Sequence, residues 1–123
     1  DKYIELKDKV IPLNEISNYP LILISKGSNT RYALDNYCSK LGFTLNPEMD
    51  LSSYSLVTEF AKIGMGVGIA TKEFLDEEFN SGTLFEVKTE PKLPKRYIGV
   101  MYLKNKILSK CSSEFLEMLN KEK

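Results

Sequence analysis

Two short stretches of this sequence gather polar side chains where a chain could hold a ligand. They are Gly27-Ser28-Asn29-Thr30-Arg31 and Ser52-Ser53-Tyr54-Ser55. Each follows an apolar run of strand length and opens a helical pattern. Hydroxyl and amide side chains at a helix start satisfy the unpaired amides of the first turn, and most such residues are caps. The same amides, with the positive end of the helix dipole, also receive small anionic or polar ligands. If the two strands are neighbours, both helix starts point toward one crevice. Asp50, at a strand end beside that place, could accept a hydrogen bond from a ligand. Arg31 could pair with a ligand carboxylate or, as an early helix residue, project outward.

Other chemistry has little material. The chain has no histidine, which removes the commonest general base and the commonest metal ligand. Cys38 and Cys111 are too far apart in sequence for a metal site and too few for a disulfide scaffold. Both read as small core or boundary residues. Glu73, Asp76, Glu77 and Glu78 crowd one short helical stretch and read as a solvated face. The glycines of Gly64-Met65-Gly66-Val67-Gly68 lead from a helix into a strand. Phosphate-cradling loops run the other way, so these glycines read as a helix stop and close helix–strand packing. The sequence thus offers no catalytic residue, no metal ligand and no cofactor site, and it does not read as an enzyme.

The elements that position the two turns follow from apolar spacing. Leu21-Ile22-Leu23-Ile24 is a continuous apolar run, as in a buried parallel strand. A helix is expected from about Thr30 to Leu41, with Ala33, Leu34, Tyr37, Cys38 and Leu41 on one face and Gly42 as its stop. Glu48 to Leu51 reads as the second strand. A second helix follows, with Leu56, Val57, Phe60, Ala61 and Ile63 on its apolar face. Gly64 and Gly66 stop it, and Val67 to Ala70 resumes as a strand buried on both faces. This strand–helix–strand crossover over Met49 to Thr71 is the unit of a parallel sheet covered by helices. In such sheets ligands sit beyond the carboxyl ends of the strands.

The flanking segments are less regular. Lys2 to Lys9 carries no clear element, and Asn14 to Ile16 reads as one helical turn. After the crossover, a helix from Lys72 to Phe79 is expected to turn Phe74, Leu75 and Phe79 inward. Leu84 to Val87 and Tyr97 to Leu103 read as strands around a loop at Lys88 to Lys95. A final helix runs from about Ser109 or Ser112 to Asn120, with Cys111, Phe115, Met118 and Leu119 on its apolar side. The class is α/β, a mainly parallel sheet flanked by helices.

Composition bounds the rest. At 123 residues, 42% hydrophobic and 28% charged, the chain is one domain or one lobe of a larger one. Seventeen basic and seventeen acidic residues cancel, whereas nucleic-acid binders carry a basic surplus on one face. No apolar run approaches the ~20 residues that cross a bilayer, so no membrane partner is expected. Two cysteines fit a reduced, cytoplasmic protein. The first residue is aspartate, so the chain is expected to be an excised piece.

The order of these motifs resembles a known family. Pro20-Leu21-Ile22-Leu23, Gly27 to Arg31, Leu41-Gly42-Phe43 and Ser52 to Ser55 come first. Val57, the run Ile63 to Ile69, Asn80-Ser81-Gly82-Thr83-Leu84, and Ser109 to Leu119 with Phe115-Leu116 then follow. From about Ile11 to Leu119 the pattern is similar to the effector-binding domain of LysR-type transcriptional regulators. The resemblance implies one lobe of the type 2 periplasmic-binding-protein fold, with a small-molecule effector held between two lobes. By position, Gly27, Ser28, Asn29 and Thr30 match one cleft-lining turn, and Ser52, Ser53 and Tyr54 match the second.

The resemblance also implies what lies outside this chain. Such regulators begin with a winged helix-turn-helix, a linker helix and most of the first lobe. On that pattern residues 1–10 lead in at the lobe crossover, 11–103 form the second lobe, and 104–123 return toward the first. DNA would be bound only through the absent helix-turn-helix domain. Phe115, Met118 and Leu119 would lack their usual cover, which implies a homodimer or an exchanged C-terminal helix. The implied function is control of transcription by a small polar or anionic metabolite. The alternative is a solute-binding receptor of a transport system with the same fold, and third an enzyme on this scaffold with Thr30-Arg31-Tyr32 positioning a carboxylate.

Overall fold

A computed structural model describes residues 3–97 and 99–121. In chain order the elements are β1 (Val10–Pro12), β2 (Leu21–Ile24), α1 (Asn29–Lys40), β3 (Met49–Leu51) and α2 (Tyr54–Lys62). They continue with β4 (Val67–Gly68), α3 (Asp76–Asn80), β5 (Lys88–Glu90) and α4 (Lys110–Lys121). Single 3-10 segments lie at Ile4–Leu6, Leu13–Asn18 and Lys72–Phe74.

Four large apolar side chains in a row suit a strand covered on both faces. β2 is that strand. It is buried along its whole length and lies between β3 and β4 in a three-stranded sheet. Both pairings are parallel, with Ile22 opposite Met49, Ile24 opposite Leu51, and Leu21 opposite Val67. α1 carries the chain from β2 out to β3, and α2 carries it back across β2 to β4. Parallel crossovers are right-handed, so helices that travel in opposite directions cover opposite faces of the sheet. On one face Leu21 and Leu23 pack with Leu13, Ile16, Leu34, Cys38 and Leu45. Full burial of each such leucine or isoleucine contributes about 1.5–3 kcal/mol.

The glycine run performs the structural roles expected of it, divided between its members. Gly64 has φ +78° and ends α2. A Cβ on Gly66 would lie 2.3 Å from the Pro20 carbonyl oxygen, and one on Gly68 would lie 3.0 Å from Val57 Cγ1. Gly66 thus lets β4 approach the entry of β2 and is no helix stop, while Gly68 lets α2 settle on β4.

Several segments depart from the sequence pattern. The extended run expected at Leu84 to Val87 pairs further on, where β5 runs parallel to β1 with Val10 opposite Lys88 and Pro12 opposite Glu90. The helix expected from Lys72 to Phe79 breaks at Leu75 into a 3-10 turn and α3. Phe74 is 77% exposed, not inward, because the 3-10 turn rotates it away from the α-helical face. The strand expected at Val67 to Ala70 forms its ladder only over Val67–Gly68 and is half-buried. Leu56 on α2 and Ile63 just after it lie outward, and α2 buries only Val57 fully. Tyr97 and residues 99–103 form no strand, and Met101 is 97% exposed; Ile98 lies outside the described residues. Strand preference is preference for a pleated, half-buried surface, and no described strand runs beside this segment. Cys111 is exposed on α4, whereas Cys38 is buried.

Candidate functional site

Parallel neighbours present their carboxyl ends on one edge, and β2 and β3 are parallel neighbours. The Ser25 amide donates to the Leu51 carbonyl at 2.8 Å, extending the ladder to the point where both chains leave the sheet. α1 and α2 both open from that edge. The Ser28 hydroxyl accepts from the Arg31 amide at 3.0 Å and caps α1. The Ser53 hydroxyl accepts from the Leu56 amide at 3.3 Å and caps α2. Gly27 takes φ +102°, a backbone that L side chains avoid, with open space where a Cβ would be. Asn29 and Ser52 are exposed, and Tyr54 is a half-buried first residue of α2. The Thr30 hydroxyl accepts from Arg96 Nη1, which brings the loop after β5 onto the start of α1. Gly27, Ser28, Asn29 and Thr30 form one turn, and Ser52, Ser53 and Tyr54 the other, on a single sheet edge.

Arg31 is engaged within the fold, and Asp50 gives one carboxylate oxygen to it while its side chain stays 45% exposed. Arg31 is 1% exposed and neither projects outward nor reaches free into a crevice. Its Nε donates to both Asp35 carboxylate oxygens at 2.9 and 3.0 Å. Its Nη1 donates to the Ile24 carbonyl at 3.1 Å and to Asp50 Oδ1 at 2.5 Å. Burial pulls the guanidinium pKa down, but the hydrogen bonds to Asp35 and Asp50 more than offset it, so it stands above its ordinary value. The spacing of Arg31 and Asp35, one helical turn apart, was the available sequence signal for this cluster.

Beside the first turns of α2 a cavity of about 290 Å³ opens toward the segment after β4. Tyr54, Ser55, Thr58, Thr71, Phe74 and Leu75 are among its lining residues, and it does not reach Gly27 to Thr30. Thr71 and Leu75, which follow β4, were not among the candidate residues of the sequence and line this cavity beside α2. A larger cavity of about 780 Å³ follows β4 and the segment around Phe85, and its lining is mostly apolar. Among the described residues no group of three or more His, Cys, Asp or Glu is placed to hold a metal. No helix among them is long and apolar enough to cross a membrane.

The family model for the LysR substrate binding domain matches residues 3–123. The chain belongs to that family. Its fold is accordingly of the type 2 periplasmic-binding-protein kind, in keeping with the parallel sheet and flanking helices. It is 31% identical over 114 residues to the HTH-type transcriptional activator CmpR of Synechocystis sp., a match covering 93% of this chain and 38% of the relative. It is 22% identical over 115 residues to the RuBisCO operon transcriptional regulator of Allochromatium vinosum, covering 94% and 38% respectively. An uncharacterized HTH-type transcriptional regulator of Bacillus subtilis, YcgK, is 23% identical over 93% of this chain and 34% of its own length. The LysR domain here therefore spans well under half of each of these relatives. No solved structure gives a significant match.

Proposed function

We propose that this chain is the ligand-sensing lobe of a LysR-type transcriptional regulator, responding to a small polar or anionic metabolite. One observation carries the reading. Two strand-to-helix turns leave adjacent parallel strands at one sheet edge, with their amides and helix dipoles directed there. That is where open α/β sheets take ligands, and helix N-termini favour anionic groups. On this reading Gly27, Ser28, Asn29 and Thr30 contact the effector from one turn, and Ser52, Ser53 and Tyr54 from the other. Residues 11–103 act as the lobe and 104–123 return toward a first lobe.

Effector binding would bias the closure of two lobes and thereby the arrangement of subunits on DNA. DNA contact itself belongs to a helix-turn-helix domain outside these residues, as the names of the relatives suggest. Those names describe regulators and not enzymes, which supports a non-catalytic, cytoplasmic role. The exposure of Phe115 at 56% and Met118 at 64% on α4 supports a homodimer or an exchanged helix.

A thermal-shift screen of a metabolite panel on the protein at its full natural length tests the reading. A ligand at ~100 times its Kd adds ~2.7 kcal/mol of stability. That shift is expected to fall in Ser52→Ala, and a shift that survives in both Ser28→Ala and Ser52→Ala contradicts the assignment.

A further inference from the structure

Arg31 occupies a costly position. Its guanidinium is almost wholly buried in the first turn of α1, where the helix dipole opposes a cation. Taking a charge out of water is unfavourable, and a buried ion pair often stabilises a fold no better than apolar residues of like volume. What the guanidinium provides is a fixed planar set of donors. Those donors reach three elements: the Ile24 carbonyl that ends β2, Asp50 in β3, and Asp35 in α1. The Arg31 amide is also the group that the Ser28 hydroxyl caps. Asp50 is separated from Ser52 by Leu51 alone. One residue thus joins the turn after β2 to the strand that delivers the turn after β3.

We propose that Arg31 is a positioning residue that, with Asp50, locks the two turns into a single spacing. This rests on reading the turns as the effector site. Without the lock, Gly27 to Thr30 and Ser52 to Tyr54 would be tied only at their start, through the Ser25–Leu51 backbone hydrogen bond. Lysine cannot substitute, because a single ammonium on a flexible stem does not reproduce a planar fork serving three acceptors.

Amide hydrogen exchange in the absence of ligand tests the lock, so its failure is separable from failure of the effector reading. Wild type would be compared with Asp50→Asn, Arg31→Lys, Asp50→Glu and, as a control, Lys62→Met, which breaks the ion pairs of Lys62 with Glu59 and Glu78. Asp50→Asn and Arg31→Lys are expected to speed exchange in residues 25–31 and 51–56 together, about tenfold beyond any change in the β2 amides. Asp50→Glu, which keeps the carboxylate, should recover most of that protection. If Arg31→Lys fails to fold, Asp50→Asn alone carries the comparison. A rise shared equally by the whole chain, as in a general loss of stability, overturns the proposal. So does a rise in one turn with the other unchanged.

Discussion

The Ser25 amide and the Leu51 carbonyl stand 2.8 Å apart, joined by the hydrogen bond that closes the β2–β3 ladder. Beyond it one chain becomes the Ser28 turn and the other the Ser52 turn. Their separation therefore starts from the spacing of paired strands, about 4.8 Å, and not from the freedom of a loop. Arg31 then adds a side-chain tie across the same two strands.

The two cap serines and the exposed Ser52 of the second turn should respond differently to truncation. Ser28→Ala and Ser53→Ala each remove a cap bond and are expected to cost about 1 kcal/mol. Ser52 is exposed and caps nothing, so Ser52→Ala should stay within about 0.5 kcal/mol. Urea unfolding of the three variants measures this. Equal losses for Ser52 and Ser28 would contradict the cap assignment.

Glycines at two positions predict contrasting costs for an added methyl group. Gly42 has φ +88° and open space around a Cβ, so Gly42→Ala should cost about 1 kcal/mol through backbone strain. At Gly66 the new atom would overlap the Pro20 carbonyl. β4 must then move off β2, at a cost of about 3 kcal/mol. A thermal melt in which Gly66→Ala is the milder change would contradict the close strand approach.

Lys62 gives a pH-dependent prediction. Its Nζ lies 2.9 Å from Glu59 and 2.9 Å from Glu78. The hydrogen bond from Lys62, aided by a backbone hydrogen bond, holds the Glu78 carboxyl below its ordinary value of 4.5. A depressed folded-state pKa stabilises the fold fully above the unfolded-state value, and that stabilisation fades as pH falls through the folded value. The stability difference between wild type and Lys62→Met should thus hold steady from neutral pH down to about 5 and close below that. A difference that widens in acid would be contrary to this pairing.

The two turns of the candidate site were legible as helix starts because their signals are local. Four apolar residues in a row between turn signals read as a covered strand, and serine before a helical pattern is a cap on either reading. Apolar spacing likewise placed Phe115, Met118 and Leu119 on one side of the last helix. What escaped depends on partners distant in sequence. Arg31 bonds to Ile24 and Asp50, seven and nineteen positions away, and its local pairing with Asp35 signals neither of them. β1 and β5 pair through Val10–Pro12 and Lys88–Glu90, segments with a proline and two charges and hence no apolar signature. Tyr97 to Leu103 has the composition of a strand, but Tyr97 and residues 99–103 pair with no strand among the described residues.

The most direct measurement is amide chemical-shift mapping with the strongest compound from the metabolite panel. The account predicts the largest perturbations at Gly27 to Thr30 and at Ser52 to Tyr54, appearing together along one titration curve. Perturbations centred on Thr71 to Leu75, or along β4 and Phe85, with both turns unmoved, would contradict it and move the site to one of the two cavities.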